Sequence, residues 1–120
     1  RGAKYAKERK TFGVPIIKHQ AIQMMLADMA MYTEASRQLV RSGMYALDND
    51  MPTTALASMS KAFCADSAVK VTCDAVQVLG GYGYSRDYPV EKMMRDAKIF
   101  QIFEGTNQIQ RMVIAREISK

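Results

Sequence analysis

A glutamate near the end of the chain stands where a carboxylate could act as a base. In the stretch "FQIFEGTNQIQR", residues 100–111, Glu104 follows a mostly apolar run and precedes Gly105. Apolar neighbours that exclude water raise the pKa of a carboxyl group and suit it to accept a proton near neutral pH. Gly105 allows a ligand close to the backbone, and free N–H groups at the start of the next helix could hold an anionic oxygen. A solvated glutamate in an interhelical loop is the alternative that the residues leave open.

A basic cluster close to the start of the chain could bind phosphate. Residues 8–13 are "ERKTFG", in which Arg9, Lys10 and the Thr11 hydroxyl are donors suited to a phosphate or pyrophosphate. The alternative is a helix C-terminus that carries cations because they complement the helix dipole. These residues alone do not decide between the two interpretations.

The segment "QVLGGYG", residues 77–83, contains a glycine pair that could lie against a cofactor. Gly80 and Gly81 lack side chains, so a ligand could approach their backbone closely. The pattern is not a dinucleotide fingerprint, because these glycines end a helix instead of leading from a strand into one. A simple helix stop with a left-handed C-cap is therefore the competing interpretation.

The few histidine and cysteine residues predict no metal site. His19 is the single histidine, and with Gln20 it opens a long helix that it could cap, or it could bind a ligand. Cys64 and Cys73 lie nine residues apart on one predicted helix, which places them on opposite faces and about 13 Å apart. Because that distance is too large for a disulfide, we expect two buried free thiols and a reducing compartment.

Helical periodicity dominates the chain and predicts an all-α fold, an antiparallel up-and-down four-helix bundle in a single domain, residues 1–120. Gly and Pro delimit the elements, and Pro89 is expected at the first position of a helix. The predicted helices are residues 1–10, 18–47, 54–79, 90–97 and 107–118. Residues 80–89 are predicted to form a loop.

Each long helix carries one apolar face that should point into the bundle. On the first helix the face consists of Ile22, Met25, Met29, Tyr32, Ser36, Leu39, Gly43 and Leu47. On the second it consists of Leu56, Met59, Ala62, Phe63, Ala65, Val69, Thr72, Val76 and Leu79. Ser36 and Gly43 are small and suit close approach of a neighbouring helix. Met24 and Met31 are expected to join Met25 and Met29 in core or helix–helix packing.

Composition excludes several classes of protein. A hydrophobic content of 48% is too high for a disordered chain, and no apolar run is long enough to span a membrane. The net charge of +5 comes from basic residues spread along the chain, so we do not expect a nucleic-acid interface. The chain starts at Arg1 inside a predicted helix, and we take it for part of a longer protein with partner surfaces.

Taken in order, the motifs resemble the C-terminal helical domain of the acyl-CoA dehydrogenases. They are "ERKTFG", "HQ", "DAVQVLGGYGY", "YPVEKMMRDAKIFQIFEGTNQIQR" and "IAREI", and together they cover essentially the whole chain. The resemblance is strongest to short- and medium-chain members that act on straight acyl chains. It implies an N-terminal helical domain and a middle β-domain outside this chain, and we expect the isolated chain to be inactive. It also implies flavin-dependent α,β-dehydrogenation of acyl-CoA thioesters to trans-2-enoyl-CoA in fatty-acid β-oxidation.

The resemblance assigns catalytic and substrate roles to the stretch around Glu104. Glu104 is implied to take the pro-R α-proton while a hydride leaves the β-carbon for N5 of FAD. Its backbone N–H and a flavin ribityl hydroxyl are implied to bind the thioester carbonyl. Gly105 falls at a substrate contact, and Phe103 lines the acyl pocket where many relatives carry tyrosine. Some relatives place the base on an earlier helix, but a glutamate at position 104 favours the straight-chain type.

The resemblance also implies positions for FAD. The pyrophosphate side is matched by Arg9, Lys10, Thr11 and Phe12, and further contacts by His19 and Gln20. The adenosine side is matched by Gln77, Val78, Leu79, Gly80 and Gly81, and the group that follows the base by Thr106, Asn107 and Gln108. In the family the first and third of these groups approach the FAD of a neighbouring subunit, so this domain is implied to touch two flavins.

The implied assembly is a homo-oligomer, a dimer of dimers, that passes electrons to an electron-transferring flavoprotein. The implied compartment is the mitochondrial matrix, or the cytoplasm if the source is bacterial. Two alternatives stay open. An acyl-CoA oxidase would pass the electrons to O2, and a non-catalytic helical module would only support oligomerisation.

Overall fold

The computed structural model describes all residues 1–120 and is predominantly helical. Six α-helices follow one another along the chain: α1 (Gly2–Glu8), α2 (Gln20–Asp48), α3 (Thr54–Leu79), α4 (Gly81–Tyr84), α5 (Val90–Ile99) and α6 (Asn107–Ile118). Between α1 and α2 lie two short antiparallel strands, β1 (Lys10–Thr11) and β2 (Val14–Pro15), and a 3-10 turn at Ile16–Lys18. The predicted all-α bundle is confirmed, although periodicity did not reveal the hairpin because each strand is only two residues long.

Helix α3 is the central element, since it contacts α1, α2, α4, α5 and α6. Two hydrogen bonds show that α2 and α3 are antiparallel: Ser60 Oγ donates to Leu39 O at 3.2 Å, and Cys64 Sγ donates to Ser36 O at 3.6 Å. Later residues of α3 thus meet earlier residues of α2. The bundle is elongated, 58 × 23 × 23 Å.

The core lies at the C-terminal end of α3 and is small. Its buried members are Ala6, Ile16, Val78, Leu79 and Val90. In all, 14 of 120 residues are buried, which leaves many large apolar side chains exposed. Burial of apolar area is the main favourable term in folding, so this chain has far more apolar surface than it covers itself.

Close packing of α2 on α3 occurs where a small residue was predicted. A Cβ on Gly43 would lie 3.5 Å from Ser60 Oγ and 4.0 Å from Leu56 Cγ. Four predictions of burial are wrong: Leu47, Phe63, Met24 and Met31 are exposed, and Ala46 is buried in place of Leu47. The predicted face of α2 advances in steps of three and four residues, whereas the helix has 3.6 residues per turn. The mismatch accumulates along the helix and turns Leu47 away from α3. Met24 and Met31 lie on faces of α2 that stay exposed. The Phe63 ring contacts that of Tyr32 at 6.4 Å between centroids and is still 38% exposed.

Smaller differences occur at the helix ends. Gly80 has φ 60° and ψ −139°, so it has a positive φ but not the left-handed helical cap that was predicted. Helix α4 begins directly after it, inside the predicted loop. Helix α5 extends to Ile99, and Pro89 precedes it instead of occupying its first position.

Both cysteines are free, as predicted, but Cys73 is exposed and not buried. No group of three or more His, Cys, Asp or Glu side chains could hold a metal ion. None of the helices combines the length and apolar character that crossing a membrane requires.

Candidate functional site

The predicted site residues form two groups at different levels of α3. One group surrounds Gln77 near the C-terminal end of the helix, and the other surrounds Lys61, sixteen residues earlier. At 1.5 Å per residue the two levels are about 24 Å apart along the axis. Whatever binds at one level is therefore separated from the other by several helical turns.

The first group borders a cavity of about 730 Å³ between α1, the hairpin and the end of α3. The predicted residues that line it are Arg9, Thr11, His19, Gln77, Val78, Leu79, Gly80 and Gly81. Lys10, Phe12 and Gln20 are exposed and do not line it. Tyr82, Ser85 and Asp87 also line the cavity, although no motif in the sequence indicated them.

The hairpin holds its polar residues over the start of α2. Thr11 Oγ1 and His19 Nε2 are 2.9 Å apart and share a hydrogen bond, and the Phe12 ring lies edge-on to the imidazole at 6.1 Å between centroids. The turn has φ 51° at Phe12 and 81° at Gly13, as a two-residue hairpin turn with two positive φ angles requires. Glycine tolerates this conformation, whereas a side chain in the left-handed region costs roughly 1–2 kcal/mol. Phe12 is 97% exposed, so burial of its ring within this chain does not offset that cost.

The glycine pair forms an open edge of the cavity. A Cβ added at Gly80 or Gly81 would meet no atom within 4 Å, and Gly80 needs its positive φ. Gly83 differs, because a Cβ there would lie 2.5 Å from Val76 O. The pair therefore leaves space for a ligand, whereas Gly83 allows α4 to pack on α3.

The cavity combines one cation, Arg9, and one carboxylate, Asp87, with neutral hydrogen-bonding groups. The Arg9 guanidinium carbon lies 5.5 Å from the centroid of the Tyr82 ring, a cation–π distance that holds this cation at the rim. The Thr11 hydroxyl, the His19 imidazole and the Gln77 amide add polar groups to the lining. This set suits a ligand that carries phosphate and other polar groups.

The second group is the loop between α5 and α6, which carries Glu104. The carboxylate is exposed, and Phe100 and Phe103 before it are 46% and 43% exposed. The expectation that the apolar run shields Glu104 is therefore wrong for this chain by itself. The run turns part of its apolar surface outward, where no other element of the chain covers it.

Backbone geometry at Glu104 is unusual. Glu104 has φ 53° and Gly105 has φ 84°, so two consecutive residues adopt the left-handed region. The N–H of Glu104 donates to no atom of the chain. Both carbonyls are occupied, because Gln110 Nε2 donates to Glu104 O at 3.0 Å and Lys61 Nζ donates to Gly105 O at 2.7 Å.

Not every N–H at the start of α6 is free for a ligand. The Thr106 hydroxyl caps the helix by accepting from the N–H of Ile109 at 3.3 Å. The N–H of Asn107 donates to Gln101 O at 3.0 Å. Gln108 is exposed, and its side chain bonds to no other residue.

Asn107 fastens this loop to α3. It is 2% exposed, and its amide nitrogen donates to Ala62 O at 3.1 Å and to Asp66 Oδ1 at 2.7 Å. Its amide oxygen accepts from Lys61 Nζ at 2.8 Å. Both N–H donors of the amide and one acceptor site of its oxygen are thus used within the chain. A buried polar side chain needs such partners.

Asp66 collects donors from both sides of the loop. Its carboxylate accepts from Gln101 Nε2 before Glu104, and from Asn107 Nδ2 and Arg111 Nη2 after it. Burial alone would raise the pKa of Asp66, but the donors from Arg111, Gln101 and Asn107 outweigh burial and hold the pKa below its ordinary value. The carboxylate is therefore kept charged as the anchor of the loop.

An apolar cavity of about 320 Å³ opens beside this loop. It is lined by Lys61, Cys64, Ala65, Ala68, Phe100 and Phe103. Phe100 and Phe103 contact each other at 5.4 Å between ring centroids, a T-shaped pair. The cavity can take a slender apolar group close to the residue that precedes Glu104.

Comparison with known families identifies relatives over almost the whole chain. Residues 2–119 match the family described as "Acyl-CoA dehydrogenase, C-terminal domain". The chain belongs to the acyl-CoA dehydrogenase family. The resemblance of the ordered motifs had suggested this family, and the match covers nearly every residue.

Three relatives illustrate the similarity of this acyl-CoA dehydrogenase domain. Cyclohexane-1-carbonyl-CoA dehydrogenase of Geobacter metallireducens is 56% identical over 117 residues, 98% of this chain and 31% of that protein. Butyryl-CoA dehydrogenase from Megasphaera elsdenii has a TM-score of 0.97 at 45% identity, over 99% of this chain and 31% of that one. A structure described as the electron transferring flavoprotein of Acidaminococcus fermentans has a TM-score of 0.95 at 50% identity, over 98% and 31%.

The acyl-CoA dehydrogenase chain described here thus spans about 31% of the length of these relatives. All three come from bacteria, so the expected mitochondrial matrix gains no support.

Sequence reasoning missed Lys61 and Asp66, which connect α3 to the loop of Glu104. One signal was present: both are charged residues that flank Ala62 and Ala65, two buried alanines of the α3 stripe. A charge beside a buried face usually needs a partner on the facing element. The sequence did not indicate that the partners would be a backbone carbonyl and an asparagine.

Proposed function

We propose that the protein containing this domain dehydrogenates acyl-CoA thioesters at the α,β bond to trans-2-enoyl-CoA, with Glu104 as the base. One observation carries the proposal. A free carboxylate and a free backbone N–H belong to the same residue, held in a left-handed turn beside an apolar cavity. The names of two relatives, a cyclohexane-1-carbonyl-CoA dehydrogenase and a butyryl-CoA dehydrogenase, support the same class of reaction.

The chemistry of Glu104 follows from what an α-proton of a thioester requires. Such a proton is a weak acid, so its removal needs a base and a donor to the carbonyl oxygen on which negative charge develops. The Glu104 carboxylate takes the proton, and the N–H of Glu104 donates to that oxygen. Gly105 is assigned to a substrate contact through its backbone, and Phe103 lines the acyl pocket beside it.

Desolvation of Glu104 has to come from outside the chain. Phe100 and Phe103 expose apolar surface next to the carboxylate, and an acyl chain or another domain that covers this surface would exclude water from it. A carboxylate from which water is excluded is a better base. The N-terminal helical domain and middle β-domain, which we place before this domain, are the proposed cover.

FAD is the proposed cofactor, and the residues at the larger cavity fit it. Arg9, Thr11 and His19 face the cavity from one side, and the open glycine pair lies on the other. Lys10, Phe12 and Gln20 lie beside this cavity and are assigned to the same contact. Thr106, Asn107 and Gln108 follow the base and are assigned to a second flavin contact, in which Asn107 acts through its bonds to α3. When bound, the flavin accepts the hydride that leaves the β-carbon.

The separation of the two groups along α3 supports contact with two flavins. Residues of the "RKT" and "QVLGG" segments lie about 24 Å from the level of Lys61, so one compact active site does not include both. We therefore propose a homo-oligomer, a dimer of dimers, in which each domain serves its own FAD and that of a neighbour. The exposed apolar side chains of α2, including Met24 and Met31, support contact with further protein surface.

The proposed electron acceptor is an electron-transferring flavoprotein, as the similarity to the Acidaminococcus fermentans structure supports. Turnover of the full-length protein should depend on this acceptor, and slow reoxidation of the reduced protein by O2 would exclude an oxidase. Because the relatives are bacterial, the bacterial cytoplasm is the compartment that we propose.

The test is formation of enoyl-CoA by the full-length protein and its Glu104→Gln variant. Glutamine keeps the size and the backbone N–H but cannot accept the proton, so product formation should fall to background with FAD still bound. Glu34→Gln is a suitable control, because Glu34 bonds only to Arg37 and Gln38 on the surface of α2. Substantial turnover by Glu104→Gln would show that the base lies elsewhere.

A further inference from the structure

Two side chains from different helices hold the turn that carries Glu104. Lys61 on α3 donates to Gly105 O at 2.7 Å and to Asn107 Oδ1 at 2.8 Å. Gln110 on α6 donates to Glu104 O at 3.0 Å. The two residues with positive φ in this loop therefore each have their carbonyl group fixed by a donor from a helix.

The turn needs such donors because glutamate does not adopt this conformation by preference. An L-residue with φ near 53° has its Cβ close to its own backbone and relaxes to negative φ unless the surroundings prevent it. Holding Glu104 O and Gly105 O fixes both peptide groups that follow the Cα of Glu104. Relaxation of this turn would change the angle between the side chain and the N–H of Glu104, which the proposed chemistry uses together.

The location of Lys61 makes its effect local. Its side chain lines the apolar cavity with Phe103, and its ammonium group uses two of its three donors on the loop. Gly105, whose carbonyl oxygen accepts from Lys61, directly follows Glu104 in the chain. A change at Lys61 therefore reaches Glu104 through one peptide group.

We propose that Lys61 is a positioning residue for proton abstraction by Glu104, with Gln110 as a second support of the same turn. This inference rests on the proposed function, since it concerns the geometry of the proposed base. Lys61 fixes the carbonyl of Gly105, and Gln110 fixes that of Glu104. The carboxylate and the N–H of Glu104 are thereby held in one mutual arrangement before substrate binds.

The experiment isolates proton abstraction from hydride transfer. A 3-thia acyl-CoA has sulfur at the β position and no hydride to lose, so only its α-protons can react. In D2O the base takes an α-proton, exchanges it with solvent and returns a deuteron, which NMR follows as loss of the α-proton signal. The FAD-loaded full-length protein is compared with its Lys61→Met variant, which removes the ammonium group and keeps a side chain of similar length.

We expect Lys61→Met to slow the exchange by about 10- to 100-fold, because a misplaced reacting group loses rate steeply. The Kd of the analogue should stay within about threefold of the parent value, since the lost geometry acts in the transition state. Lys61→Arg keeps a cationic donor and should exchange faster than Lys61→Met. Lys92→Met is the matched control, because Lys92 pairs with Asp96 on the exposed side of α5, and it should exchange like the parent.

Several outcomes would overturn the proposal. An exchange rate in Lys61→Met within about twofold of the parent does so, as does a Kd that rises by the factor by which the rate falls. If Lys61→Met does not fold, Gln110→Met removes only the donor to Glu104 O, and unchanged exchange in that variant contradicts the proposal equally. The Glu104→Gln variant distinguishes failure of the proposed function from failure of the positioning role. Exchange that persists in Glu104→Gln refutes Glu104 as the base. Exchange that is lost in Glu104→Gln but normal in Lys61→Met refutes only the positioning role of Lys61.

Discussion

Gly81 and Gly83, which are separated by one residue, should respond differently to substitution by alanine. A Cβ at Gly83 would lie 2.5 Å from Val76 O, 3.0 Å from Val76 Cα and 2.9 Å from Leu79 Cβ. Two of these atoms belong to the backbone of α3, so they cannot move without shifting the helix. Overpacking of this kind costs roughly 1–3 kcal/mol. A Cβ at Gly81 would meet no atom within 4 Å and should change stability by less than about 1 kcal/mol.

The two variants should also differ in FAD affinity, and here Gly81→Ala is the variant that we expect to be weakened. Gly81 borders the larger cavity, so Gly81→Ala places a methyl group where the proposed cofactor lies and should raise the Kd of FAD about tenfold or more, as expected when 1.4 kcal/mol is lost. Urea unfolding of the apo full-length protein measures stability, and FAD titration of the same preparations measures affinity. Equal stability of the two variants would refute the packing argument. Unchanged FAD affinity in Gly81→Ala would refute the assignment of the cavity.

Two further predictions concern the anchor of the Glu104 loop. Asp66→Asn should reduce stability at pH 7 by roughly 1 kcal/mol after allowance for solvent screening. Because the pKa of Asp66 is lowered in the folded state, its contribution is present above the ordinary carboxyl pKa and is lost as the pH falls through the lower folded value. Urea unfolding from pH 7 to pH 3 should show parent and variant converging below about pH 4, and a constant difference would contradict the account. Asn107→Ala should cost about 2–4 kcal/mol, because Lys61 and Asp66 each lose a partner for a charged group. A loss of unfolding free energy below about 1 kcal/mol would show that Asn107 does not fasten the loop.

The sequence predicted the long helices well because their faces repeat over many turns. Helix α3 begins at Thr54 and ends at Leu79, as expected from its apolar stripe and from Gly80. Helix α6, predicted at residues 107–118, also has its predicted bounds. The two-residue strands escaped prediction, since a period of two cannot be recognised in so short a segment.

Burial was harder to predict than helicity. Phe63 and Met31 have the right spacing for a core face, yet both are exposed, although the Phe63 ring contacts that of Tyr32 on α2. Periodicity identifies which residues share a face but not which surface covers that face. The same limit applies to Glu104, whose apolar neighbours are present but do not enclose it.

The candidate site was predictable where a motif maps onto one segment. Arg9, Thr11 and Gly80 came from quoted motifs, and the structure brings them to one cavity. The roles of Lys61 and Gln110 on the Glu104 turn were not predictable, because each donates to a backbone carbonyl of the loop. Such contacts depend on how α3 and α6 are placed in space, and no side-chain pattern specifies them.

Single-turnover flavin reduction shows whether Glu104 is the base. Full-length protein loaded with FAD is mixed anaerobically with a straight-chain acyl-CoA, and loss of the flavin absorbance is followed by stopped flow. We expect the Glu104→Gln variant to bind FAD like the parent and to reduce it at least about 100-fold more slowly, the lower end of the range for loss of a general base. Flavin reduction by Glu104→Gln within about tenfold of the parent rate would contradict the account.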